Sequence, residues 1–217
     1  MKKYTADFET ATWQKDETWV WAWAISEISE NENFQYGTNI DEFMEFCKKS
    51  NNSYFYFHNL KFDGEFIIYW LLENGFTWVK SKKEVDNNTF TTLISDLGQF
   101  YNIEVYFKKQ GKHVKKVSFF DSLKIIPFSV SEVAKSFKLQ EQKLEIDYLE
   151  KREKGHKLTE EEIQYIKNDV VIMSKALKQI FDADLKKMTS ARKRNFRLQK
   201  DFRGSTKIRT FFSKISV

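Results

Sequence analysis

The positions of apolar residues predict a chain in which strands and helices alternate. Apolar residues that recur at period two, or in short continuous runs between turn residues, are typical of strands. Such segments occur at residues 4–10, 19–25, 33–38, 53–57, 89–95, 100–107 and 117–121. Helical spacing behind good capping residues predicts helices at residues 40–49, 64–72, 131–137 and from 160 to about 188. Because each helix needs a sheet face on which to bury its apolar side, we expect an α/β fold with one mixed β-sheet flanked by helices.

The composition fits a folded protein without disulfides or a membrane anchor. Of the 217 residues, 41% are hydrophobic and 17% are aromatic, whereas disordered chains are poor in aromatic residues. Cys47 is the one cysteine, so no intrachain disulfide can form and a reducing cytoplasm is expected. The longest apolar runs, residues 19–25 and 66–72, are far shorter than the ~20 residues needed to cross a bilayer. No apolar signal segment follows Met1, so we expect neither secretion nor membrane contact.

Charge divides the chain into two parts of opposite sign. Residues 189–217 contain nine basic residues and one acidic residue, a net charge of +8, although the whole chain carries +5. We therefore expect an α/β domain at residues 1–188 and a basic C-terminal tail at residues 189–217. The tail suits DNA phosphates, with interleaved Phe side chains for base stacking, and equally suits docking on another protein or on the core. A second basic run, residues 108–116, is expected to be a solvated hairpin tip, with contact to DNA as the alternative.

Four acidic residues are candidates for metal binding. Asp7 and Glu9 share one face of a predicted strand. If this face is buried, the two charges require a cation, and if it is exposed to solvent, they do not. Asp63 stands between a strand and a helix and suits either a metal or the cap of that helix. Asp169 lies one helical turn after Tyr165, whose hydroxyl could orient a water near a metal, although such pairs also arise by chance. Together, the four acids can converge on two cations, the arrangement of metal-assisted phosphodiester hydrolysis.

The order of these residues resembles a known family, the proofreading domain of the protein-primed family B DNA polymerases of phages. The resemblance runs from Tyr4 to about Thr189, and its most specific part is the nine-residue block at residues 56–64. The other segments that carry it are residues 7–10, 121–123, 137–139, 143, 146–148 and 165–169. The resemblance implies a ribonuclease H-like fold and a 3′–5′ exonuclease of the DEDD class, in its tyrosine branch.

The resemblance also implies a role for each matching residue. Asp7, Glu9, Asp63 and Asp169 would bind two divalent ions, Mg²⁺ or Mn²⁺, while Tyr165 positions the attacking water and Lys143 acts near the scissile phosphate. The 3′ end of single-stranded DNA would be held by His58, Asn59, Phe62, Ser122, Leu123 and Tyr148. By residue type alone, Lys143 would be a solvated charge, Ser122 and Leu123 strand-end packing residues, and Phe62 and Tyr148 core aromatics.

The chain departs from the family in ways that restrict the expected activity. The family's Ser-Leu-Tyr-Pro and Tyr-x-Asp-Thr-Asp-Ser polymerase blocks and its Tyr-x-Gly-Gly linker do not occur in these 217 residues, so we expect no polymerisation by that mechanism. We expect a 3′–5′ exonuclease acting on single-stranded DNA, stand-alone or split from its polymerase, in the host cytoplasm. The alternative is a module that binds single-stranded DNA, a polymerase or a terminal protein with little catalysis of its own. RNA is a further candidate substrate, because the metal site does not read the 2′-hydroxyl.

Overall fold

A mixed eight-stranded sheet forms the centre of the protein, in a computed structural model that describes residues 1–11, 17–50, 52–147 and 150–185. Its strands are β1 (Lys3–Thr10), β2 (Val20–Glu27), β3 (Phe34–Gly37), β4 (Ser53–Phe57), β5 (Thr77–Trp78), β6 (Thr89–Ile94), β7 (Phe100–Gln110) and β8 (His113–Asp121). They lie in the order β3-β2-β1-β4-β8-β7-β6-β5. Because β1, β4 and β8 are parallel neighbours, their carboxyl ends meet at one edge of the sheet.

Helices cover both faces of this sheet. Within the described residues they are α1 (Ile40–Lys49), α2 (Leu60–Glu73), α3 (Val130–Ser136) and α4 (Glu160–Ile180), and a π-helical turn, Phe181–Leu185, follows α4. Side chains cap three of the helix starts. Asn39 accepts a hydrogen bond from the first turn of α1, and Ser129 and Thr159 form capping boxes at α3 and α4.

The two faces of the sheet bury different kinds of side chain. On one face, α1 and α2 enclose an aromatic core in which Phe43 packs against Phe55 and Phe119. On the other face, α3 and α4 pack largely through aliphatic side chains. Phe8 on β1 belongs to the aromatic core, so its neighbours in the strand, residues 7 and 9, face α4.

The α/β class with one mixed sheet is confirmed, and the sequence pattern misses two details. The helix expected at residues 64–72 begins at Leu60, because Asn59 adopts a left-handed conformation (φ 83°) that turns the chain directly from β4 into α2. The short strand β5 is absent from the prediction, since two exposed residues carry no periodic signal.

The basic run at residues 108–116 forms the tip of a hairpin, as expected, and its residues are exposed or half-buried. β7 continues to Gln110 and β8 begins at His113, with these two residues paired across the ladder, so the turn itself is residues 111–112. The amide of Lys109 donates to Asn87 Oδ1 (2.7 Å) and its ammonium donates to the main-chain oxygen of Val85 (2.5 Å). The lysines therefore stand on a paired ribbon, and their contact with DNA stays a prediction.

Several predicted features fall outside the described part of the chain. These are Tyr148, the basic tail at 189–217, the boundary between the tail and the domain, and the expected end of the long helix near Met188. In the part that the structure describes, α4 proper ends at Ile180. No helix in that part has the length and apolar character needed to cross a bilayer.

Candidate active site

Three carboxylates from β1 and α4 meet on the sheet face that α4 covers. Asp7 and Glu9 leave β1 on the same side, while Phe8 between them packs against Phe43 with ring centroids 4.8 Å apart. One carboxylate oxygen from each of Asp7, Glu9 and Asp169 lies within 4.8 Å of the others. An exposed sheet face is therefore the wrong interpretation, because Glu9 is 9% and Asp169 is 4% exposed.

A hydroxyl group fixes α4 against β1 beside this cluster. Thr5 Oγ1 donates to the main-chain oxygen of Val170 at 2.7 Å. Thr5 lies two residues before Asp7 in the strand, and Val170 directly follows Asp169 in the helix. This bond joins residues 165 positions apart in the sequence and holds the two acids in register.

Asp63 reaches the same cluster from α2. It lies inside the first turn of the helix, so the interpretation of Asp63 as the helix cap is wrong. Its Oδ1 accepts a hydrogen bond from the backbone amide of Phe8 at 3.2 Å, between the two acids of β1. Its side chain is buried, with 3% of the residue exposed. Asp63 is thus adjacent to the two acids of β1, although the oxygens that lie within 4.8 Å of one another belong to Asp7, Glu9 and Asp169.

Burial and mutual repulsion make the four carboxyl groups difficult to ionise together. Loss of hydration is the main cause, and it raises the pKa of Asp7 to about 7 and that of Glu9 to about 9. The same cause raises the pKa of Asp169 and holds the pKa of Asp63 well above its ordinary value. The charge of Asp169 adds to the shift in Asp7, and the charge of Asp7 adds to the shifts in Glu9 and Asp63. The cluster therefore holds protons at neutral pH that bound cations would displace.

The residues present fit divalent metal ions. Asp169 Oδ1 is buried and has no hydrogen-bond partner among the described residues, which leaves a carboxylate oxygen directed into the site without compensation. The neighbouring donors are carboxylate oxygens, the ligands that hard ions such as Mg²⁺ and Mn²⁺ prefer. A cation at this position would offset both the repulsion and the uncompensated oxygen.

Lys143 and Tyr165 also lie at the cluster. Lys143 Nζ donates to Asp169 Oδ2 at 2.6 Å and opposes the pKa shifts of Asp7, Glu9 and Asp169. Its ammonium is therefore paired with a site carboxylate, although the residue itself is exposed. The same ammonium lies 5.6 Å from the centroid of the Tyr165 ring. Tyr165 is 2% exposed and sits one turn before Asp169 on α4.

The predicted DNA ligands that the structure describes lie in two loops at the carboxyl ends of β4 and β8 and in the helix that follows the first loop. Asn59 and Phe62 stand at the start of α2, and both are exposed, Phe62 by 49%, so Phe62 is not a core residue. Ser122 and Leu123 form a 3₁₀ turn directly after β8. His58 bridges the loops, because its Nδ1 is 3.1 Å from Ser122 Oγ. A cavity of about 150 Å³ lies beside the carboxylates, and its lining includes Asp7, Asp169, Lys143, Tyr56 and, of the predicted DNA ligands, His58.

Two buried charged residues near the site, Asp121 and Arg152, receive no role from the sequence analysis. Asp121 ends β8 and hydrogen-bonds both loops, and its one signal is an acid directly before the Ser-Leu pair. Arg152 is 2% exposed, donates from Nε to Glu162 Oε1 at 2.6 Å and lies over the ring of Trp21. Arg152 also donates to the main-chain oxygen of Asp147, so it ties an irregular segment to the start of α4. An arginine in such a segment carries no pattern that predicts burial.

The sequence matches a known family of DNA polymerases. A family model described as DNA polymerase type B, organellar and viral, matches residues 44–200. The match spans most of the chain, and the chain accordingly belongs to the family of organellar and viral type B DNA polymerases. The expected relation to the family B DNA polymerases of phages is confirmed.

The relatives are phage DNA polymerases of greater length. The DNA polymerase of Bacillus phage Nf is 40% identical over 216 residues, which is 100% of this chain and 37% of the relative. That alignment extends beyond Thr189, the limit indicated by the motifs. The DNA polymerase of Bacillus phage phi29 is 42% identical over 189 residues, 87% of this chain and 32% of the relative. This chain therefore spans about a third of the length of the relatives it matches.

Solved structures of phi29 DNA polymerase share the fold. A complex with single-stranded DNA superposes with a TM-score of 0.79 at 41% identity, over 85% of this chain and 32% of that chain. A complex with primer-template DNA gives a TM-score of 0.80 at the same identity and coverage. The ribonuclease H-like sheet flanked by helices is thereby confirmed.

Proposed function

We propose that this chain is a metal-dependent 3′–5′ exonuclease that removes nucleotides from single-stranded DNA. The observation that carries the proposal is the buried cluster of Asp7, Glu9 and Asp169, with Asp63 bonded to the peptide between the first two. The raised pKa values of the four acids show that burying their charged forms together costs free energy. Groups with such perturbed pKa values cluster at functional sites. The solved phi29 DNA polymerase complex with single-stranded DNA supports DNA as the ligand.

Asp7, Glu9, Asp63 and Asp169 would hold two divalent ions, Mg²⁺ or Mn²⁺, which would supply charge stabilisation for an in-line displacement at phosphorus. Tyr165 orients the attacking water through its hydroxyl. The water loses a proton and its oxygen forms a bond to the terminal phosphorus, the bond from phosphorus to O3′ of the preceding nucleotide breaks, O3′ takes up a proton, and a nucleoside 5′-monophosphate leaves. Lys143, whose Nζ donates to Asp169 Oδ2, would place its ammonium near the scissile phosphate.

The two loops at the carboxyl ends of β4 and β8 hold the strand that is cut. Phe62 presents an exposed ring on which a base can stack, and the exposed Asn59 side chain can donate and accept hydrogen bonds. His58, Ser122, Leu123 and Tyr148 complete the set of proposed DNA ligands. His58 lines the cavity beside Asp7 and Asp169, whereas Ser122 is fully buried and contacts His58.

A cleavage assay with single-stranded DNA tests the proposal. The full chain is incubated with a 5′-labelled oligonucleotide in Mg²⁺, Mn²⁺ or EDTA, and a 3′-labelled copy reports the direction of cleavage. We expect a metal-dependent ladder from the 5′ label and early release of labelled mononucleotide from the 3′ label. An RNA copy of the oligonucleotide determines whether the enzyme distinguishes the 2′-hydroxyl.

Two matched variants on one helix control the assay. Asp169→Asn removes the charge of a proposed metal ligand and should abolish the ladder, whereas Glu161→Gln removes an exposed charge two turns earlier and should leave it unchanged. A ladder that survives Asp169→Asn would refute the site. Tight binding of DNA without cleavage in every metal would favour the alternative, a module that binds DNA or a separately encoded polymerase or terminal protein.

A further inference from the structure

One buried carboxylate joins the two loops of the proposed DNA site. Asp121 Oδ1 accepts hydrogen bonds from the backbone amides of Asn59 (3.2 Å), Leu60 (3.4 Å) and Leu123 (3.0 Å). Asp121 Oδ2 lies 3.5 Å from Lys124 Nζ, and Asp121 is 2% exposed. A single side chain at the end of β8 thus reaches the start of α2 and the start of the 3₁₀ turn.

Asp121 performs the capping that Asn59 would ordinarily provide. Asn59 occupies the N-cap position of α2, yet its own side chain makes no capping hydrogen bond and its backbone is left-handed. The first amides of a helix need an acceptor, and a carboxylate there also interacts favourably with the helix dipole. Because Asp121 supplies that acceptor from another strand, the exposed Asn59 side chain is not needed as the cap of α2.

The same carboxylate sets the conformation of the second loop. Asp121 caps the 3₁₀ turn through the Leu123 amide, and Ser122 Oγ donates to the main-chain oxygen of Phe57 at 2.9 Å. The ends of β4 and β8 are therefore joined twice, once by Asp121 and once by Ser122. Removal of Asp121 leaves the amides of Asn59, Leu60 and Leu123 without their acceptor and frees the loops to move apart.

We infer that Asp121 is a positioning residue for the single-stranded 3′ end: it caps α2 and the 3₁₀ turn together, so that the exposed Asn59 side chain faces the DNA. The inference rests on the proposed function, because it concerns the same two loops. It assigns Asp121 no contact with metal or DNA. Its loss should therefore weaken the hold on a strand without impairing the carboxylate cluster.

Two readouts separate positioning from chemistry. Binding of a fluorescent single-stranded oligonucleotide is measured by anisotropy in EDTA, and hydrolysis of the p-nitrophenyl ester of thymidine 5′-phosphate is measured in Mn²⁺. The small ester needs the metal site and lacks the strand that the two loops hold. For Asp121→Ala we expect the Kd for DNA to rise about tenfold, ~1.4 kcal/mol, with ester hydrolysis unchanged. Asp121→Asn keeps a carbonyl acceptor and should fall between wild type and Asp121→Ala.

Glu104 provides the matched control for lost stability. It is also a buried carboxylate, 7% exposed, and it accepts hydrogen bonds from Tyr106 and Lys116. Glu104 pairs with Ser118 on β8. Because Ser118 and Asp121 are three residues apart in that strand, Glu104 lies on the sheet face opposite Asp121. Glu104→Ala should lower the urea midpoint without changing the Kd for DNA.

Each outcome supports or overturns the inference. Unchanged DNA affinity in both Asp121 variants overturns it, and so does equal loss of affinity in Glu104→Ala, or failure of the wild-type chain to bind DNA. Loss of ester hydrolysis in Asp121→Asn overturns it as well, since Asp121 would then act on the metal site. If the wild-type chain binds DNA but hydrolyses neither substrate, the proposed function fails, and weaker binding by the Asp121 variants still supports the positioning role.

Discussion

Without divalent cations, the protein should become less stable as the pH rises from about 5.5 to about 7.5. A carboxyl group whose pKa is raised by folding keeps its proton in the folded state where the unfolded chain has released it. Between the unfolded and the folded pKa, stability therefore falls with increasing pH. The folded pKa of Glu9 is about 9 and that of Asp7 about 7, so this window includes neutral pH.

The magnitude follows from the retained protons. Each retained proton changes the free energy of unfolding by ~1.4 kcal/mol per pH unit, so Glu9 contributes ~3 kcal/mol over the interval and Asp7 ~2 kcal/mol. Asp63 and Asp169 shift in the same direction. Burial lowers the pKa of His58, which makes stability rise with pH and offsets part of this loss. The ~5 kcal/mol from Glu9 and Asp7 together is a large part of the stability of a domain.

Urea unfolding followed by tryptophan fluorescence measures this slope in EDTA and in Mg²⁺. Glu9→Gln should remove most of the contribution of Glu9, while Glu161→Gln, an exposed acid on α4, should leave the slope unchanged. Mg²⁺ should stabilise the protein more at higher pH, because metal binds the deprotonated carboxylates. Stability in EDTA that is flat or rises with pH, or a wild-type slope in Glu9→Gln, would refute the reasoning.

Two other variants test the surroundings of the carboxylates. Tyr165→Phe should lower kcat on DNA by on the order of 10²-fold, less than loss of a metal ligand, because water positioning is impaired and metal binding is retained. Equal kcat in the variant and wild type would exclude a catalytic role for the hydroxyl. Arg152→Ala leaves the buried Glu162 charge without its arginine and should reduce the free energy of unfolding by ~3–5 kcal/mol. A loss under ~1 kcal/mol in urea unfolding would contradict a structural role for this pair.

Local signals in the sequence were sufficient to predict most helices and strands and to name the four acids as candidate metal ligands. Period two places Asp7 and Glu9 on one face of β1 whatever surrounds the strand, and the structure has them so. The capping box at Thr159 starts α4 where expected, because its two hydrogen bonds join residues three apart. The weakest predictions concern segments whose conformation other elements decide, such as the start of α2 and the ends of the basic hairpin.

What the sequence determined by itself is the set of elements, the alternation that pairs the acids and the four acids with Tyr165 as candidates. Tertiary structure alone decided three contacts. α4 packs on β1 through Thr5, Asp63 in α2 accepts a hydrogen bond from the Phe8 amide in β1, and Asp121 caps α2 from β8. These contacts join residues 55 to 165 positions apart, and no local pattern specifies such distances. The raised pKa values of Asp7 and Glu9 also depend on the tertiary structure, because loss of hydration depends on which elements pack against a side chain.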